Sequence, residues 1–184
     1  MNSTRIEKDF YFHAALHFEN SFYINVYDVT ISFLVETDSS YEQTIAMERI
    51  THFISNELKN SIFVHATDDR AIERYLTAGI RVCELPEEPY DQIIAMVLLQ
   101  KVNAITEGRL HASDMTLASV MSDGVRYNMV IEMAEHSLGT EGFWWNAPDT
   151  SLCNCELTQD NVVPLFKQDV WDSLGLSWKE KANF

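Results

Sequence analysis

Two histidines four residues apart, His13 and His17 in the stretch FYFHAALHF, most suggest chemistry by their type and spacing. Imidazoles at i and i+4 can share one metal ion when they project from a helix. In a strand they stand about 13 Å apart at about 3.3 Å rise per residue, far beyond Zn–N bonds of about 2 Å. The stretch alternates, with Phe10, Phe12, Ala14, Leu16 and Phe18 apolar and Tyr11, His13, Ala15 and His17 mixed. That period of two reads as a half-buried strand, so both histidines are expected as polar residues on a semi-exposed face. Cys153 and Cys155 form a Cys-x-Cys without the second pair that makes a structural zinc motif, and are read as two thiols. Glu84, Glu87, Glu88 and Asp91 cluster in ELPEEPYD, where acidic side chains favour a helix start and the spacing is not that of a calcium loop. No metal, cofactor or catalytic residue is assigned. Trp144, Trp145 and Trp171 are read as anchors at an interface, since large aromatics suit such surfaces.

The elements that must position these residues follow from pattern. ENS, residues 19–21, reads as a three-residue loop joining the first strand to FYINVYDVTISFLV, Phe22 to Val35. That register sets Phe18 against Phe22, Leu16 against Ile24 and Ala14 against Val26 on the core side, with His17 beside Tyr23 and His13 beside Tyr27 on the other. Beyond Asp28 the apolar phase of the second run reverses, which calls for a bulge or twist near Tyr27 and Asp28, or burial of both faces. Ser39 or Ser40 caps a helix whose stripe is Met47, Ile50, Ile54 and Leu58. A βαβ-like passage follows as SIFVHA, DDRAIERYLTAG and IRVCEL, with Asp68 or Asp69 as N-cap. A second long helix opens at Pro89 and closes at Gly108, its run Ile93 to Leu99 apolar almost all round. SDG, residues 122–124, reads as a three-residue hairpin loop with Met121 against Val125, Leu117 against Met129 and Met115 against Ile131. From Ser137 glycines and aromatics replace sustained periodicity, and only Val163 to Leu174 has a helical stripe.

The chain has 184 residues, 46% of them hydrophobic and 22% charged, which suits one α+β domain over residues 1–136, with an insertion at about 61–88. An aromatic-rich extension over 137–184 docks on that domain or on a neighbouring subunit. The formal net charge of −15 repels phosphate backbones and anionic lipid heads, so neither nucleic acid nor membrane is an expected partner. Three cysteines without framework spacing, and no apolar run of spanning or signal length, point to a reducing, cytoplasmic setting.

The order ββα-(βαβ)-αββ resembles the tunnelling fold, a ββααββ unit whose sheets join between subunits into a barrel. By local text it is similar to the 6-pyruvoyl- and 6-carboxy-tetrahydropterin synthases, whose first strand carries Phe-x-Ala-Ala-His. Phe12, Ala14 and Ala15 match. Leu16 stands where that family has its histidine, the second strand lacks His-x-His, and no cysteine precedes Cys83. The resemblance therefore implies the fold, a twisted antiparallel sheet backed by two long helices, without the synthase's zinc or its chemistry. Two functions stay open. One is a non-enzymatic homo-oligomeric assembly or interaction subunit, of which a phage-type component is one form. The other is a diverged tunnelling-fold protein holding a planar pterin- or purine-like molecule between subunits, with His13, His17, Tyr23 and Tyr27 as its contacts.

Overall fold

The structure is a computed structural model and describes residues 4–139, 142–154 and 169–179. The first two strands, β1 (Arg5–Phe18) and β2 (Ser21–Val35), form the long hairpin at its centre. They are followed by α1 (Ser40–His52) and by the βαβ passage β3 (Ile62–His65), α2 (Asp69–Thr77) and β4 (Val82–Leu85). Next come α3 (Asp91–Thr106), β5 (Leu110–Ser119), β6 (Arg126–Val130) and α4 (Ile131–Leu138). One turn of helix, α5 (Val170–Ser173), lies in the extension. The strands make a single sheet in the order β4-β3-β1-β2-β5-β6. Its four central and distal strands pair antiparallel, while β3 joins β1 and β4 joins β3 in parallel, so the insertion widens the same sheet and makes it mixed.

The register of the first hairpin differs from expectation by one residue. Phe18 pairs with Ser21, leaving a two-residue turn of Glu19 and Asn20, both at positive φ (49° and 60°). Two such residues give the primed turn whose twist matches that of the strands, and asparagine tolerates the conformation better than most residues. A one-residue slip exchanges the faces of β2. Asn25, Tyr27, Val29, Ile31 and Phe33 therefore point into the core beside Phe10, Phe12, Ala14 and Leu16, while Phe22 and Ile24 face out. The apolar phase of β2 beyond Asp28 is then continuous, and the bulge lies instead between β2 and β5, where Ser32 pairs with Asp114 and Phe33 with Ala112.

The second hairpin also departs from its expected register. Met115 pairs with Met129 and Leu117 with Tyr127, two residues away from the SDG alignment, because Val120–Ser122 forms a 3-10 turn capped by Ser119. An even shift keeps each residue on its face, so Met115, Leu117 and Met129 are still buried. Ile131 starts α4 rather than pairing with Met115.

Local capping explains the helix starts. Ser39 accepts a hydrogen bond from the Glu42 amide and Asp68 from the Ala71 amide. The first long helix continues past α1 as a π-helical stretch, Phe53–Leu58, and its stripe of Ile50, Ile54 and Leu58 is buried. The second begins one residue after its N-cap Tyr90, so Pro89 lies outside it, and ends on Glu107 in the left-handed region. Together α1 and α3 cover the inner face of the sheet. Among the described residues α2 alone packs on the outer face, its Ala71 and Tyr75 clustering with Ile62, Val64 and Val82.

Two buried cations fasten the described part of the extension. Lys101 of α3, fully buried, donates to the carbonyls of Trp144 (3.0 Å) and Ala147 (2.9 Å) and pairs with Asp149 at 3.2 Å. Burial alone would raise the Asp149 carboxyl, but the ammonium and the Ser151 hydroxyl hold it below its ordinary range. Arg49 of α1, also fully buried, donates to the Leu176 carbonyl at 2.8 Å, pairs with Glu107 at 2.9 Å and lies 3.7 Å from the Trp178 ring centroid. At the sheet margin the Glu84 amide donates to the Leu152 carbonyl at 2.9 Å, so the extension occupies the outer edge of β4. Cys153 is disulfide-bonded rather than the thiol expected, and Cys155 lies outside the described residues. The helical stripe read over Val163 to Leu174 lies outside the described residues up to residue 168.

Candidate functional site

The register places the four ligand candidates on opposite faces. His13 and His17 face outward, while Tyr23 and Tyr27 belong to the inner face. Tyr27 is fully buried, stacked on Phe12 with ring centroids 4.9 Å apart, and burial raises its hydroxyl above the ordinary range of a phenol. The four do not converge on one ligand.

His17 is buried rather than semi-exposed, because α2 lies over it. Its Nε2 is 3.2 Å from Asp68 and its Nδ1 3.0 Å from the Tyr75 hydroxyl, which also accepts from Arg74 at 3.0 Å. Asp68 is at once the N-cap of α2 and the partner of His17, so one carboxylate starts the helix and ties it to the sheet. These partners lie 51 to 58 residues from His17 in the chain, which is why spacing did not reveal them. The assembly they make is a docking contact for the insertion.

The anchoring tryptophans are turned into the chain's own core. Trp144, Trp145 and Trp171 are buried in the same hydrophobic cluster as the sheet and helices, and the Trp144 indole donates to the Glu84 carbonyl at 2.9 Å.

A pocket of 210 Å³ does form on the inner side, where the β1–β2 hairpin meets the start of α3. Leu16, Asn25, Tyr90, Asp91, Ser119 and Tyr127 line it. Asp91, the first residue of α3, accepts a 2.7 Å hydrogen bond from Ser119, the last residue of β5. The Asn25 side-chain carbonyl accepts from the Val26 and Met121 amides, tying β2 to the 3-10 turn. Burial pushes the Asp91 carboxyl above its ordinary range despite the hydrogen bonds from Ser119 and Ser122. A partly desolvated carboxyl between tyrosines can receive N–H donors of a flat molecule. The other polar groups lining the pocket are Asn25, the Ser119 and Ser122 hydroxyls and the tyrosines Tyr90 and Tyr127. Asp91 was visible as the last of an acidic cluster at a helix start, but its partner Ser119 is brought there only by the fold. Among the described residues no group of three His, Cys, Asp or Glu side chains could hold a metal ion, and no helix is long and apolar enough to cross a membrane.

No family model and no curated protein sequence matches the chain. Among solved structures it resembles the 6-pyruvoyl tetrahydropterin synthase of Plasmodium falciparum, with 13% identity and a TM-score of 0.45 over 70% of this chain and 98% of that one.

Proposed function

We propose that this protein is a non-enzymatic interaction subunit that assembles through the uncovered outer face of its sheet. The observation that carries the reading is the asymmetry of that sheet. α1 and α3 cover the inner face, while outside the reach of α2 the outer face leaves Tyr11 69%, Ile24 73% and Val130 40% exposed. An antiparallel sheet can keep one face wet, but such a face normally alternates to polar residues. The exposed large side chains stand apart on that face, among Asp9, Thr30, Asp114 and Asn128, and such a mixture of apolar and polar groups suits a contact surface between subunits. The reading assigns the face to a second copy of the chain. Paired substitutions Tyr11→Lys and Val130→Lys are expected to reduce the mass measured by light scattering to that of one chain without lowering the melting temperature by more than about 3 °C, as surface changes usually do. A wild-type protein that is already monomeric, or an unchanged mass in the variant, overturns it.

The Asp91 pocket favours a second reading, in which the chain holds a small planar heterocycle. A carboxyl with a raised pKa and flanking tyrosines suits a ring that offers adjacent N–H groups. Pterins and purines at ten times their Kd would raise stability by about 1.4 kcal/mol in a thermal-shift screen. No stabilisation by any member eliminates this reading and leaves the first untouched.

A further inference from the structure

A second depression, of 290 Å³, lies on the outer face where β1 and the start of β2 meet the loop before β3 and the loop between α2 and β4. It is lined by His13, Ala15, Phe22, Ile24, Ser61 and Ile80, among others. Its shape follows from residue size. Ala15 pairs with Ile24 on one side and Ile62 on the other, so a methyl group sits between larger neighbours in the sheet. The side chains of Phe22 (52% exposed) and Ile24 (73% exposed) form a rim that water solvates poorly.

The polar end carries the argument. Ser61 is 1% exposed, and its hydroxyl has no hydrogen-bond partner although the atom is shielded from solvent. Its backbone is fully used, the amide donating to Leu58 and the carbonyl accepting from Ala15. A buried hydroxyl left without a partner costs about 1–3 kcal/mol, and a serine side chain can rotate to supply a proton to whatever oxygen is brought beside it. The imidazole of His13, half-buried, and the side chain of Asn60, exposed, are the other polar groups at the groove.

We propose that this groove is a binding site for a small aromatic molecule of one or two rings bearing an oxygen acceptor. The ring lies over Ala15 between Phe22, Ile24 and Ile80, and the Ser61 hydroxyl, shielded in the unliganded chain, turns about its Cα–Cβ bond to donate to the oxygen. A cavity of about 150 Å³ is enough for benzene, so 290 Å³ accommodates one substituted ring or a fused pair. An anionic ligand is disfavoured by the net charge of −15, which makes a phenol a better match than a benzoate. The site is separate from the Asp91 pocket but shares Ile24 with the outer face assigned above to a second copy, so the titration is also run on the Tyr11→Lys/Val130→Lys chain, where failure of this proposal and failure of that reading are distinguishable.

The test is a titration of the full chain with phenol and with toluene, its isostere without the oxygen, followed by NMR at the His13 ring and the Ala15 methyl. Phenol is expected to shift both signals and to bind at least fivefold more tightly than toluene. Ser61→Ala should weaken phenol about tenfold and toluene less than twofold. Ala15→Leu should abolish binding of both by filling the floor. If that variant misfolds, Ile24→Asp at the exposed rim serves instead and should weaken both several-fold. Absence of shifts at His13 and Ala15, equal affinities for phenol and toluene, or a Ser61→Ala protein that binds phenol as the wild type does would each overturn the proposal.

Discussion

Asp91 shows what a single residue acquires from its place in the fold. A carboxylate opening a helix is ordinarily favoured by the helix dipole, yet partial burial against Ser119 makes the protonated form relatively easier to hold. The linkage has a definite sign. Because the folded-state pKa is raised, the group's contribution to stability is fully present below the ordinary carboxylate value of 3.8 and is lost as pH rises through the raised value. Asp91→Asn removes that titration, so the melting temperature of the variant relative to wild type should move in the variant's favour as pH rises from 3.8 across that window. A difference independent of pH would show that Asp91 does not titrate in the folded protein as its surroundings require. The identity of Asp91 and its helix-start position were legible from ELPEEPYD, whereas its environment was not, since Ser119 lies 28 residues away and arrives only when β5 packs beside α3. His17 repeats the point, with a position on β1 that alternation revealed and partners Asp68 and Tyr75 that it did not.

Among the elements, the β1–β2 hairpin decides most. Alternation in FYFHAALHF identifies the inner face of β1, whereas the apolar Phe22 and Ile24 point to the wrong face of β2, since both face out. The information that selects the register is the pair of positive φ angles at Glu19 and Asn20, a backbone property that no side-chain pattern displays. Replacing Glu19-Asn20 by Asn-Gly should stabilise the fold by about 0.5–1 kcal/mol, whereas Asn20→Val should cost about 1–2 kcal/mol. Urea unfolding of the two variants checks this, and equal midpoints would argue against a primed turn. Caps were easier to read. Ser39 and Asp68 act through residues only three positions away, so their short-range chemistry survives without knowledge of the tertiary structure. The π-helical end of the first long helix carried no such local sign, since its residues continue the same apolar stripe.

For the molecule as a whole, the core is shared between the sheet, the two long helices and the described part of the extension. Trp144, Trp145 and Trp171 complete a cluster that also contains Phe12, Phe33 and Leu99, while Lys101 and Arg49 spend their hydrogen bonds on carbonyls and carboxylates around it. Truncation after residue 139 should therefore leave two fully buried cations short of partners and cost at least about 5 kcal/mol, roughly 10 °C or more in melting temperature for a chain of this size. A truncated chain that melts as the wild type does would mean that the extension contributes nothing to the fold. Composition and aromatic content pointed to docking of the extension, but the buried cations that receive it gave no sign, because Lys101 and Arg49 lie on helices whose sequences read as ordinary amphipathic or apolar runs. The hydrogen bond from Glu84 to Leu152 has a further consequence. A sheet grows by recruiting strands at its margins, and here the β4 margin already has a plug of its own chain, leaving β6 as the terminal strand at the opposite end. Were two copies to pair edge to edge through β6, the covered β4 margins would leave no further edge for addition, and removing the extension would reopen one.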